Sequence, residues 1–227
     1  MRIQNMVATS RVPGFTSEFR LNGWINSAGQ FNLDGTASID YGNSTLGITG
    51  HIAINVSHNG ISGALSGRIN VPGDYNDYSG TFWADHTGFR ITGQTRFVLL
   101  SGLVLLDGSF EFESINGSTT MRINNMSAES RIPGFGSNFQ LTGWINSAGQ
   151  FNLDGTASID VGNSTLGLSG AIEINVSHNG ISGSIAGRIN VPGDYNDFSG
   201  SFAADSSGFM VTAQTRFVLL SGLVLLD

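Results

Sequence analysis

Lysine and cysteine are absent from this 227-residue chain, proline occurs only four times, and charged residues make up just 12% of it. Without cysteine there is no disulfide, no thiol nucleophile and no thiolate metal site. Without lysine, all ten basic residues are arginine, set against seventeen acidic ones. The formal charge of -7 and a pI near 4.9 argue against nucleic acid and anionic membrane surfaces as partners. Few prolines beside 32 glycines, with no G-X-Y period, exclude collagen. No run approaches the ~18 apolar residues of a membrane-spanning helix. The opening "MRIQNMVATS" has no apolar signal-peptide core, so none is expected within this sequence. An apolar share of 40% is too high for a disordered chain.

What is present is repetition. Residues 1–107 align with 121–227 without a gap, and "WINSAGQFNLDGTASID" occurs unchanged at 24–40 and 144–160. Such a period has to be read before any other feature. Most differences are conservative, as with Tyr78 and Phe198; Trp83 against Ala203 is not. Two tandem repeats follow, residues 1–120 and a truncated copy at 121–227. The second copy stops at Asp227, where the first runs on past Asp107. The sequence thus reads as a piece of a longer tandem array.

Within each copy the apolar residues alternate. Phe31, Leu33, Gly35, Ala37 and Ile39 share one side of a strand, and Asn32, Asp34, Thr36, Ser38 and Asp40 the other. Strict period-two alternation marks a half-buried strand. The frame recurs through each copy with a glycine near every strand's middle: Gly23, Gly35, Gly50, Gly67, Gly80, Gly93, Gly108, Gly143 and Gly155. Asn5 and Asn125 take that place in one strand of each copy. Turn signals such as "YGNST", "SHNGIS", "PGDYND" and "INGS" separate the strands, so neighbours are antiparallel. Asn59-Gly60 is the strongest hairpin signal among them. The expected fold is all-β: an antiparallel meander of about sixteen short strands, stacked as a V-shaped, solenoid-like sheet that bends at the inner glycines. Tandem β-sandwiches and a β-barrel with its apolar side to lipid are the alternatives.

The apolar-x-apolar-x-Gly rhythm of "LVLLDGSFEFES" and "FNLDGTASID" resembles that of the V-shaped strands of bacterial lipid-bridge proteins. The resemblance covers the rhythm and no diagnostic motif.

Motifs that could carry chemistry are few. "GDYNDYSG" places Asp74 and Asn76 as in an EF-hand loop, but Tyr78 and Ser79 stand where the third oxygen ligand and the glycine belong. A looser calcium site remains a weak candidate at Asp74 and Asp77, with Asp194 and Asp197 in the second copy; a polar turn is the simpler reading. His51 becomes Ala171 and His86 becomes Ser206, which speaks against a shared catalytic role. There is no nucleophile elbow and no phosphate loop, so neither enzyme activity nor a cofactor is expected. One departure from the pattern stands out. In "RFVLLSGLVLL", Val98, Leu100, Leu103 and Leu105 lie on the side that is polar elsewhere, as do Val218, Leu220, Leu223 and Leu225 in the copy. A strand apolar on both sides is covered on both, so these residues are expected to meet a neighbouring repeat or another chain.

The functional expectation is a non-enzymatic structural repeat module of a longer extracellular or cell-surface bacterial protein: an adhesin stalk, surface layer or filament. Its partners would be itself or adjoining repeats. From a different class, an apolar-ligand or lipid-carrying groove, or a membrane barrel pore, also fits the alternation.

Overall fold

The computed structural model describes residues 1–12, 14, 18–132, 139–219 and 224–226. The first copy's strands are β1 (Arg2–Ala8), β2 (Phe19–Ile25), β3 (Phe31–Gly42), β4 (Gly47–Ser57), β5 (Gly60–Val71), β6 (Asp74–Ala84), β7 (Gly88–Leu99) and β8 (Val104–Ile115). The second copy continues with β9 (Ser118–Ser130), β10 (Phe139–Asn146), β11 (Phe151–Gly162), β12 (Gly167–Ser177) and β13 (Gly180–Val191). It ends with β14 (Asp194–Asp205), β15 (Gly208–Gln214), β16 (Phe217–Leu219) and β17 (Val224–Leu226). Among the described residues there is no α-helix, only one 3-10 turn at Leu100–Gly102. β1 to β15 form one open antiparallel sheet in chain order, and β16 pairs with β17. This order leaves β1 and β15 as edges, which a closed barrel does not have, and keeps in one sheet what tandem sandwiches would divide.

The chain forms two compact units. One contains residues 1–97, 107–124 and 144–150, the other 98–106, 125–143 and 151–227.

Alternation sorts the side chains as expected. In β3, Leu33, Ala37 and Ile39 are buried while Asp34, Thr36 and Asp40 are exposed. In the first unit, Phe82, Phe89, Phe110 and Phe112 are buried almost completely. Phe89 stacks on Phe82 and Phe112 with ring centroids 6.1 Å apart in each pair. Tyr41 of β3 meets Phe89 edge-on at 5.0 Å, and its hydroxyl is 2.7 Å from Ser114 Oγ in β8. Strands distant in the sheet order therefore share one core inside this unit.

Cross-strand register repeats residue for residue between copies. Gly50 opposes Gly67 and Leu33 opposes Val56, just as Gly170 opposes Gly187 and Leu153 opposes Val176. Inner glycines lie opposite either one another or a large apolar residue, as Gly35 does Leu21 and Gly63 does Phe82. At Gly35 a side chain would run into the carbonyl oxygen of Arg20, with Leu21 Cδ2 only 2.9 Å from its Cβ. Backbone approaches backbone there, which is a reason for glycine independent of turn geometry.

The turns follow local chemistry. Asn116 and Gly117 join β8 to β9 with φ of 51° and 81°, the pair of positive values a type I′ hairpin requires. Asn43 Oδ1 accepts hydrogen bonds from the Thr45 and Leu46 amides at 2.8 and 2.9 Å, an Asx turn. Asn59-Gly60 lies in a hairpin with its frame displaced by one residue. Ser57 pairs with Gly60, so His58 and Asn59 form the loop. Asn5 and Asn125 both have φ of 55°. In β1, three residues from Ile3 to Met6 span two of β2, Gly23 to Leu21. This is a β-bulge with asparagine in the left-handed conformation, the non-glycine residue that tolerates it best.

Candidate functional site

The polar faces of the strands carry the remaining chemistry. Register aligns Asn22, Asp34, Asn55, Ser62 and Trp83 across β2 to β6. Asn55 Nδ2 donates to Asn32 Oδ1 and Asp34 Oδ1, each at 2.8 Å, and Asn175 repeats this toward Asn152 and Asp154. These amides satisfy one another and brace the strands. Trp24, Trp83 and Trp144 stand partly exposed on the polar side.

A charge cluster lies across β7, β8 and β9. Glu111 and Glu113, two residues apart on β8, share a face between Arg90 and Arg122. Arg90 is 3.6 Å from Glu111 and 3.3 Å from Glu113. Arg122 is 3.4 Å from Glu111 and 2.7 Å from Glu113. Two guanidiniums matched to two carboxylates leave no net charge, and each ion pair ties neighbouring strands. Sequence reasoning overlooked this cluster. The alternating "EFE" of residues 111–113 marks two carboxylates on one face, but the flanking arginines are far away along the chain.

The calcium candidates are not brought together. Asp74 and Asp77 are three residues apart on β6, so alternation sends them to opposite faces. Asp74 Oδ2 accepts a hydrogen bond from Asn76 Nδ2 at 2.9 Å, and Asp77 lies opposite Arg68. In the copy, Asp194 accepts from Asn196, and Asp197 pairs with Arg188 at 3.5 Å. No group of three or more His, Asp or Glu among the described residues is arranged to hold a metal ion. An open depression of about 740 Å³ is lined by Glu18, Thr36, Ser38, His51 and Ser66 among others; the copy puts Asn138 and Ala171 in place of Glu18 and His51.

In the apolar hairpin, Val98, Leu100, Leu103 and Leu105 are all half-buried, while Phe97, Leu99, Val104 and Leu106 on the other side are fully buried. Leu100 has φ of 52°, a left-handed conformation unusual for a bulky residue. The Arg131 amide donates to the Leu103 carbonyl at 3.0 Å, which fastens the chain after β9 to this turn. Of the equivalent residues, Leu220 and Leu223 lie outside those described, and Val218 and Leu225 belong to β16 and β17. The glycines Gly23, Gly35, Gly50, Gly67, Gly80, Gly93, Gly108, Gly143 and Gly155 all lie within strands.

No family model, no curated protein and no solved structure matches the chain.

Proposed function

We propose that this chain is a non-enzymatic structural module, a stretch of a longer tandem array on a cell surface or outside the cell. What carries the reading is the repetition of sequence and register together. The same residues face one another across β3–β6 and across β11–β14. An array gains from such identity because each strand only has to fit its neighbours, so one solution can be written many times. The inner glycines serve as bends in a V-shaped stack, and the ladder of asparagine and aspartate forms its solvated side.

Purification without detergent, followed by light scattering and mass spectrometry, tests this against the carrier and pore readings. A monodisperse chain in plain buffer with no co-purified lipid is expected. Recovery of stoichiometric lipid, or a requirement for detergent, would replace the module with an apolar-ligand carrier or a membrane barrel.

A further inference from the structure

We propose that the free edge of β1 is an acceptor for an added strand of β8 chemistry: apolar residues on either side of a glycine on one face, two carboxylates on the other. The inference rests on the repeat-module reading and names what such a module takes up. It stands on a comparison internal to the chain. β9 repeats β1 at an offset of 120, with Met121, Arg122, Ile123 and Met126 standing for Met1, Arg2, Ile3 and Met6. Both strands hold asparagine at φ of 55°. They differ in one respect of pairing: β8 precedes β9 in the sheet, while β1 ends it.

Each repeated residue registers that difference. Met121 and Met126 are 0% exposed, whereas Met1 and Met6 are 79% and 38% exposed. Arg122 lies 2.7 Å from Glu113 and 3.4 Å from Glu111; Arg2 has no ion pair among the described residues. An uncovered edge also presents a row of backbone donors and acceptors to any extended segment, the basis of recognition by strand addition. The edge of β1 thus exposes methionines and an arginine whose counterparts in β9 are buried and ion-paired beside β8. Side-chain volume and charge select the occupant together: "VLLDGSFEFESI" (104–115) brings Val104, Leu106, Phe110 and Phe112 on one side, Glu111 and Glu113 on the other.

The test titrates a labelled synthetic peptide of residues 104–115 into the 227-residue chain, read by fluorescence anisotropy and by backbone amide exchange. Saturable binding is expected, with exchange slowed along Arg2–Ala8. Met6→Lys, a change at an already exposed position checked by circular dichroism, should abolish binding. Arg2→Glu should weaken it about five-fold, and a peptide carrying Glu111→Lys and Glu113→Lys should recover the loss on that variant. The proposal is overturned by absent or unsaturable binding, by equal binding of a scrambled peptide, or by protection along β15 instead of β1. Protection of β1 by self-association without peptide would make a second copy the occupant and overturn it as well. None of these outcomes touches the module reading, whereas co-purified lipid would remove that reading and leave peptide binding as it is.

Discussion

Tyr78 keeps its ring edge-on to Phe110 at 5.6 Å but buries a hydroxyl that has no hydrogen-bond partner. Burial raises the pKa of that hydroxyl well above the ordinary tyrosine value, because the phenolate would lose its hydration. At the same place the second copy has Phe198. An unsatisfied buried hydroxyl costs on the order of 1–3 kcal/mol, so Tyr78→Phe should stabilise the chain by about 1 kcal/mol. That corresponds to roughly 2–4 °C in the thermal midpoint; a lower midpoint would contradict it. The linkage has a definite sign. With the folded pKa above the unfolded value of 10.0, the unfolded chain loses this proton first as pH rises. Stability from Tyr78 is therefore fully present below about pH 10 and declines above it, and alkaline denaturation of Tyr78→Phe should be shallower. Gly35 makes the complementary case. A valine there would collide with the Arg20 carbonyl and press on Leu21, a strain of about 1–3 kcal/mol or more. Thr36→Val, exposed beside it, should move the midpoint hardly at all. If both variants melt alike, the close-approach account of the glycines is wrong.

Turns and strands show how far an element can be read from its own residues. The turn from Asp85 to Gly88 is tied by the Asp85 carboxylate, which accepts from the Thr87 hydroxyl at 2.6 Å and the Thr87 amide at 2.7 Å. These bonds hold the pKa of Asp85 below the usual aspartate value, the Thr87 hydroxyl contributing most. Asp205 is lowered in the same way by Ser207. A carboxylate with a depressed folded pKa contributes stability that is present above the unfolded value of about 4 and lost as pH falls through the folded one. Carbon-detected NMR titration should find Asp85 and Asp205 among the last carboxylates to protonate. Thr87→Ala should return Asp85 toward the ordinary value and leave Asp205 unchanged. No movement of Asp85 in that variant would refute the hydroxyl as the main cause. Such turns were legible in the sequence because aspartate, asparagine and glycine act within three or four residues of themselves. The bulges at Asn5 and Asn125 were legible only in part. Their place in the glycine rhythm could be read, but an extra residue in one strand shows only when two strands are set side by side.

For the whole molecule, repetition carries the expected energetics. If neighbouring copies support one another, a chain lengthened by a further 120 residues should unfold in one cooperative transition at higher denaturant, with an m-value larger by roughly half. Two separate transitions, or an unchanged midpoint, would show that the copies are independent beads. Alternation, the duplicated stretch 24–40 and 144–160, and the turn residues by themselves determined an all-β meander with a sorted inner and outer side. Those properties arise from each strand's own two-residue period and from turns that close within a few residues. Tertiary structure alone decided which inner faces meet and which charges pair. Tyr41 reaches Phe89 and Phe112 from a strand four and five places away in the sheet, and Arg90 and Arg122 come to opposite sides of Glu111 and Glu113 across two hairpins. Contacts of that kind depend on register and twist summed over several intervening strands, where one bulge shifts every later partner, so no local window of residues contains them.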